Sequence, residues 1–139
     1  MGRLAECCTL ANKDEPDVPR RVAARIAAEL APGEPILVFN YYPIVYFLSR
    51  AALPTRIPFP IDLVGRENFT GVNLDAELAR ALVSKPRFIV MDRNSPFPIR
   101  PSAQELVESE LRSNYSLVAT FDDIASRSPP GLIELWHRR

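Results

Sequence analysis

The chain has 139 residues, 47% of them hydrophobic, and 17 basic residues stand against 17 acidic ones. That size suits one globular core, and the balanced charge lacks the basic footprint of a nucleic-acid binder or of a protein held on anionic lipid. The longest apolar stretch, Ile36 to Leu48, is interrupted by Asn40, two tyrosines and Pro43, so it falls short of the roughly 20 residues that a membrane-spanning helix needs.

Residues 1–16 read as an N-terminal tail or linker, and 17–139 as a single α/β domain. The first residues carry neither the basic n-region nor the long apolar h-region of a secretory signal. Cys7 and Cys8 are adjacent and build no disulfide framework. Leu4-Ala5-Glu6-Cys7 matches a lipoprotein cleavage site only superficially, because Glu6 and the missing apolar run before it oppose lipid attachment.

Val18, Val22, Ile26 and Leu30 recur at every fourth position, with Ala23 and Ala27 beside them, which predicts an amphipathic helix that Pro32-Gly33 ends. Ile36 to Phe39 is a short apolar run bounded by Pro35 and Asn40, the pattern of a strand buried on both faces. Pro43 suits the first turn of a short helix reaching Ala51. Arg56 to Phe59 offers a second, shorter strand that Pro58 restricts to an edge, and 60–72 reads as a loop. Leu74, Leu78 and Leu82 then predict a helix stopped by Pro86.

Arg87 to Asp92 reads as another buried strand, and Asn94, Pro96, Pro98 and Pro101 impose a non-helical connection after it. Ser102 and Glu105 fit a capping box at the start of a helix to about Asn114. Tyr115 to Phe121 alternates in polarity, and Leu132 to His137 gives a further strand after Pro-Pro-Gly, so the two should pair antiparallel. Strands separated by helix-length segments predict a three-layer, Rossmann-like α/β fold. Its sheet would be open and mostly parallel, with helices on both faces and a C-terminal antiparallel strand pair.

Catalytic motifs are absent from the sequence. The five glycines are too dispersed for a phosphate-cradling loop, and no glycine-x-serine-x-glycine elbow occurs. His137 is the lone histidine and lies far along the chain from both cysteines, so no metal site is expected and no cofactor is implied. It is expected at a strand end near the surface, and Asp122 and Asp123 at a solvated strand end. Ligands of open α/β sheets favour the crevice beyond the carboxyl ends of parallel strands, which selects Asn40, Tyr41, Tyr42, Asp92 and Arg93 as candidate ligand-binding residues. Tyr46 suits the core better than a ligand site.

The run from Ala31 to Phe39, then Pro43 to Ser49 and Leu53-Pro54-Thr55-Arg56, resembles the soluble C-terminal part of membrane glycosyltransferases. More narrowly, it is similar to the region after the last membrane helix in relatives of bacterial aminoarabinose transferases and protein mannosyltransferases, which use polyprenyl-phosphate-linked sugars. Lys85 to Asp92 and the closing Trp136-His137-Arg138-Arg139 extend the likeness over roughly Pro19 to the C-terminus. In such enzymes the catalytic acidic residue lies between early membrane helices, so no catalytic residue carries over. The resemblance implies a non-catalytic domain on the periplasmic or other extracytoplasmic side of a bacterial membrane, without transfer activity in isolation. It would help position acceptor or lipid-linked sugar donor, with the membrane portion of the parent protein as partner. Tyr41, Tyr42, Tyr46 and Arg56 could then meet a sugar or phosphate by stacking and charge.

The alternative is a free-standing cytoplasmic binding or regulatory module that shares only the segment pattern. A small enzyme with an unrecognised site would need a deep pocket around a perturbed ionisable residue, and the sequence offers no candidate for one.

Overall fold

The computed structural model describes residues 17–124 and 129–139. The expectations for the N-terminal tail and its two cysteines lie outside the described residues. Among the described residues, no helix is long and apolar enough to cross a membrane.

Helix α1 spans Val18–Ala27, shorter than its periodic pattern. Asp17 caps it by accepting a hydrogen bond from the Arg20 N–H at 3.0 Å, and Pro19 sits in the first turn, where its missing N–H costs nothing. Strand β1 is only Leu37–Val38, although Ile36 to Phe39 are all fully buried. Pro35 limits the ladder on one side, while Phe39 still donates to the Val90 carbonyl at 2.9 Å. Helix α2, Ile44–Ser49, follows Pro43 and ends on Arg50 in the left-handed region at φ 59°.

The segment Arg56 to Phe59 is not a strand, which corrects the expectation. Pro58 has no donor, and the neighbouring N–H groups are taken by side chains: Arg56 donates to Glu77 and Ile57 to the Thr55 hydroxyl. The expected loop after it instead opens with a one-turn helix, α3, at Pro60–Val64, with Pro60 in the first turn. Five residues are too few to show a helical period.

Helix α4, Leu74–Val83, is capped by Asn73, which accepts from the Ala76 N–H at 3.1 Å. Strand β2, Phe88–Asp92, is buried at every residue. Helix α5, Pro101–Asn114, starts at Pro101, so Ser102 lies inside its first turn and the capping box does not form. The Ser102 hydroxyl, with Arg100, instead lowers the pKa of the Asp75 carboxyl on α4.

Strands β3, Tyr115–Asp123, and β4, Gly131–Arg138, pair antiparallel as expected, with a register shift between Leu117 and Ala119. The sheet order is β1-β2-β4-β3. β4 lies between β2 and β3 and runs antiparallel to both, so β1–β2 is the one parallel pair. The mostly parallel sheet is thereby corrected to a four-stranded mixed sheet in a mixed α/β fold, and the helical cover, thin over β3, falls short of the expected three layers. The short return from β3 forces an antiparallel neighbour, and that neighbour then occupies the edge of β2 that a further parallel strand would have used.

Alternation along β1 and β2 divides the apolar residues between the two faces. Ile36, Val38, Phe88 and Val90 pack with Val22, Ile26, Val45 and Tyr46 of α1 and α2. Leu37, Phe39, Ile89 and Met91 pack with Leu63, Leu78, Leu82, Val107 and Leu111 of α3, α4 and α5. Double-sided burial explains why both strands read as continuous apolar runs. The cover thins at β3, which is exposed or half-exposed between its two buried ends, with Ala119 and Phe121 half-buried against the α1 side.

Candidate functional site

The carboxyl ends of β1 and β2 lie side by side and open into a cleft of about 220 Å³. Its floor is made by Asn40, Tyr41 and Asp92, and its walls by Tyr42 and Pro43, by Phe59, Pro60, Ile61, Val64 and Gly65, and by Ser95, Phe97, Pro98 and Ile99. Four of the seven residues expected at a ligand site, Asn40, Tyr41, Tyr42 and Asp92, are therefore brought together.

Asn40 joins the two strand ends with its side-chain amide. Nδ2 donates to the Asp92 carbonyl at 2.9 Å, and Oδ1 accepts from the Asp92 N–H at 2.6 Å. The pair of bonds continues the ladder one step past the last strand residue, where main-chain groups would otherwise be orphaned. The Asp92 carboxylate, 4% exposed, accepts from the N–H groups of Asn94 at 3.0 Å and Leu132 at 3.2 Å, holding the next loop and β4 against the same point.

The Tyr41 hydroxyl donates to Asp123 at 2.6 Å. Asp123 is buried, so only Asp122 has the solvated position expected for both. Burial, followed by the hydrogen bond to the Asp123 carboxylate, drives the Tyr41 phenol pKa far up, which keeps it protonated as a donor. Tyr42 is half exposed with its ring 4.9 Å from that of Tyr41.

The other three candidates sit elsewhere. Tyr46 is a core residue whose hydroxyl accepts from the Val38 N–H at 2.9 Å, and burial raises its pKa to about 12. Arg56 reaches the Glu77 carboxylate at 3.5 Å, outside the cleft. Arg93 turns away to Glu134 at 2.6 Å and Glu108 at 2.5 Å. Burial disfavours its charge, but hydrogen bonds to both carboxylates outweigh that and raise its pKa. His137, expected near the surface, is partly buried, accepts from Arg87 Nε at 3.2 Å and meets Phe88 edge-on.

Sequence patterning named Tyr42 but missed the rest of the wall. Phe59 and Phe97 are each 55% exposed, and each is the centre of a Pro-Phe-Pro tripeptide, Pro58-Phe59-Pro60 and Pro96-Phe97-Pro98. Proline fixes its own φ and restricts the residue before it, so both rings stand on stiff backbone. The repeated tripeptide is the signal that could have found them. Arg100 supports the wall from behind: its N–H bonds to the Val64 carbonyl at 2.8 Å, and its guanidinium donates to the carbonyls of Leu63 and Gly65, each at 2.9 Å, and to Asp75 at 2.7 Å.

The lining contains Ser95 but no histidine or lysine to activate it. Among the described residues, no group of three or more His, Cys, Asp or Glu is placed to hold a metal ion. Comparison with known proteins adds no family: no protein-family model, curated protein or solved structure matches the chain.

Proposed function

We propose that this chain is a non-catalytic, extracytoplasmic domain of a membrane glycosyltransferase that uses a polyprenyl-phosphate-linked sugar, related to the aminoarabinose and protein mannosyltransferases. Its strand-end cleft helps position the acceptor or the lipid-linked donor over a catalytic site in the membrane portion, which is its partner. The observation that carries this is the cleft itself, an apolar recess with a few polar groups at its floor and three exposed rings at its rim. Concave, largely apolar sites with few oriented polar groups are the usual form of small-molecule sites. The lining lacks an activated nucleophile, which favours positioning over chemistry. Of the floor residues, Asp92 closes a segment that resembles the transferase tails, and Asn40 and Tyr41 lie between two such segments.

The test is the in-frame DNA upstream of Met1, read together with an immunoblot of the native source using antibody raised against this domain. Several encoded apolar stretches of about 20 residues each, with the antigen in the membrane fraction, are expected. A genuine start codon at Met1 and a soluble antigen of 15.6 kDa would overturn the proposal in favour of a free-standing binding module.

A further inference from the structure

We infer that the groove between α4 and α5, at the opposite end of β2 from the cleft, is a second binding site. Its ligand is a single anionic amphiphile, with the charged head on Lys85 and Arg138 and the apolar part between the helices. The site is independent of the role proposed for the cleft. The groove has a volume of about 580 Å³, and Leu82, Val83 and Leu106 form its apolar stretch. The two cations lie past the helix ends: Lys85 just beyond α4, and Arg138 opposite Tyr115, which follows α5 directly. Tyr115 ties them together. Its hydroxyl donates to the Pro86 carbonyl at 2.5 Å, so the residue paired with Arg138 also holds the segment that carries Lys85.

Charge and strain set the chemistry of the ligand. Among the described residues neither Lys85 nor Arg138 forms an ion pair, whereas Arg56, Arg80, Arg87, Arg93 and Arg100 are each paired with a carboxylate. Glu110 is the one acid in the lining, so the groove keeps a positive balance. Lys85 holds its place against its own backbone. Its φ is 60°, where glycine is favoured after a helix, and Pro86 pushes the residue before it towards extended geometry. Strain retained at an exposed cation points to a use for the charge. A cation there also suits the carboxyl end of α4, a role that the experiment separates from binding. A phosphate or carboxylate accepts hydrogen bonds from lysine and arginine together. A bare ion would leave Val83 and Leu106 in water, whereas a hydrocarbon tail covers them. Val83 is the one largely exposed side chain of that stretch, too little apolar surface to enter a bilayer, which favours a free molecule over a membrane face.

The test is an NMR titration of the nitrogen-labelled 139-residue chain with octyl phosphate, octanol and inorganic phosphate. Octyl phosphate should give saturable shifts of amides in 79–85 and 106–115 and at 138, weakening as salt is raised. Octanol and inorganic phosphate should each bind about tenfold or more weakly, since each lacks one half of the recognition. Lys85→Gly should lose about tenfold in affinity for octyl phosphate while its melting temperature holds or rises, and Arg138→Gln should lose a similar factor. With phosphatidylglycerol vesicles the chain should stay in the supernatant; sedimentation that depends on Lys85 would overturn the free-molecule assignment in favour of a lipid surface. Octanol binding as tightly as octyl phosphate would remove the anion from the proposal, and inorganic phosphate doing so would remove the apolar part. Shifts confined to the cleft amides, no saturable shifts, or unchanged binding by the two folded variants would overturn the site altogether. A lower melting temperature of Lys85→Gly with unchanged binding would leave Lys85 as a helix-end cation only. None of these results bears on the cleft, whose role is decided by the upstream sequence.

Discussion

Glu77 offers a sharp test of how the segment before the cleft is held. Its carboxylate is 4% exposed and accepts hydrogen bonds from the Arg56 N–H and the Thr55 hydroxyl, both at 3.0 Å, with Arg80 and the Arg56 guanidinium as ion-pair partners. The backbone bond from Arg56 is the largest influence holding the pKa at about 2 rather than the usual 4.5. Because the folded pKa lies below the unfolded one, the stabilisation is fully present above the unfolded value and is lost as pH falls through the folded one. The whole shift would correspond to about 3 kcal/mol at about 1.4 kcal/mol per unit. Arg56 and Arg80 are largely exposed, and solvent screening reduces the contribution to about 1–2 kcal/mol. Urea unfolding followed by Trp136 fluorescence, repeated between about pH 7 and pH 2.5, should show the wild type losing most of that amount through Glu77 as acid is added, on top of losses through Glu34 and Asp75, whose pKa values are also lowered. Glu77→Gln should be less stable near neutrality by a similar amount, and its profile should be flatter by the same amount. Parallel profiles for the two proteins would refute the assignment of this pKa to the network around Arg56.

Other substitutions probe the cleft and its frame. A Cβ at position 65 would collide with the Ile61 carbonyl oxygen, so Gly65→Ala should cost about 1–3 kcal/mol in denaturant unfolding and shift the amides of the cleft wall. Tyr41→Phe removes the donor to buried Asp123 and should cost about 1.5–3 kcal/mol, measured the same way. Lys85 adopts φ 60°, where a side chain is strained, and Lys85→Gly should raise stability by about 0.5–1 kcal/mol; a fall would show that its side chain contributes more than the backbone strain costs. Arg100→Met keeps an aliphatic stem but releases Leu63, Gly65 and Asp75, and hydrogen exchange across 60–65 should accelerate while β2 remains protected.

The elements legible in the sequence were those whose burial imposes a period or an uninterrupted run. Val22 and Ile26 marked α1, Leu74 and Leu78 marked α4, and the five apolar-to-acidic residues of β2 stood out because helices or loops cover both faces. Sheet order was not legible, since β4 alternates in burial as it would in either an edge or an interior position, and only the three-dimensional pairing chooses. The floor of the cleft and the Tyr42 side of its wall followed from where parallel strands end, so Asn40, Tyr41, Tyr42 and Asp92 could be named. The rest of the wall could not, because Phe59, Ile61 and Phe97 sit in proline-rich segments where no period operates. Arg56 and Arg93 looked available in the sequence and are instead neutralised by acids distant along the chain.

The position of β4 also bears on how the molecule is made. A ribosome delivers β1, β2 and β3 before the strand that separates β2 from β3, so for much of synthesis β2, apolar from Phe88 to Met91, has an open edge. The sheet cannot close around local neighbours as they emerge, and its largest set of non-local contacts waits for Gly131 to Arg138. Nascent chains arrested before that strand should therefore be sensitive to protease and attractive to chaperones, and emergence of residues 131–138 should trigger folding in one late step.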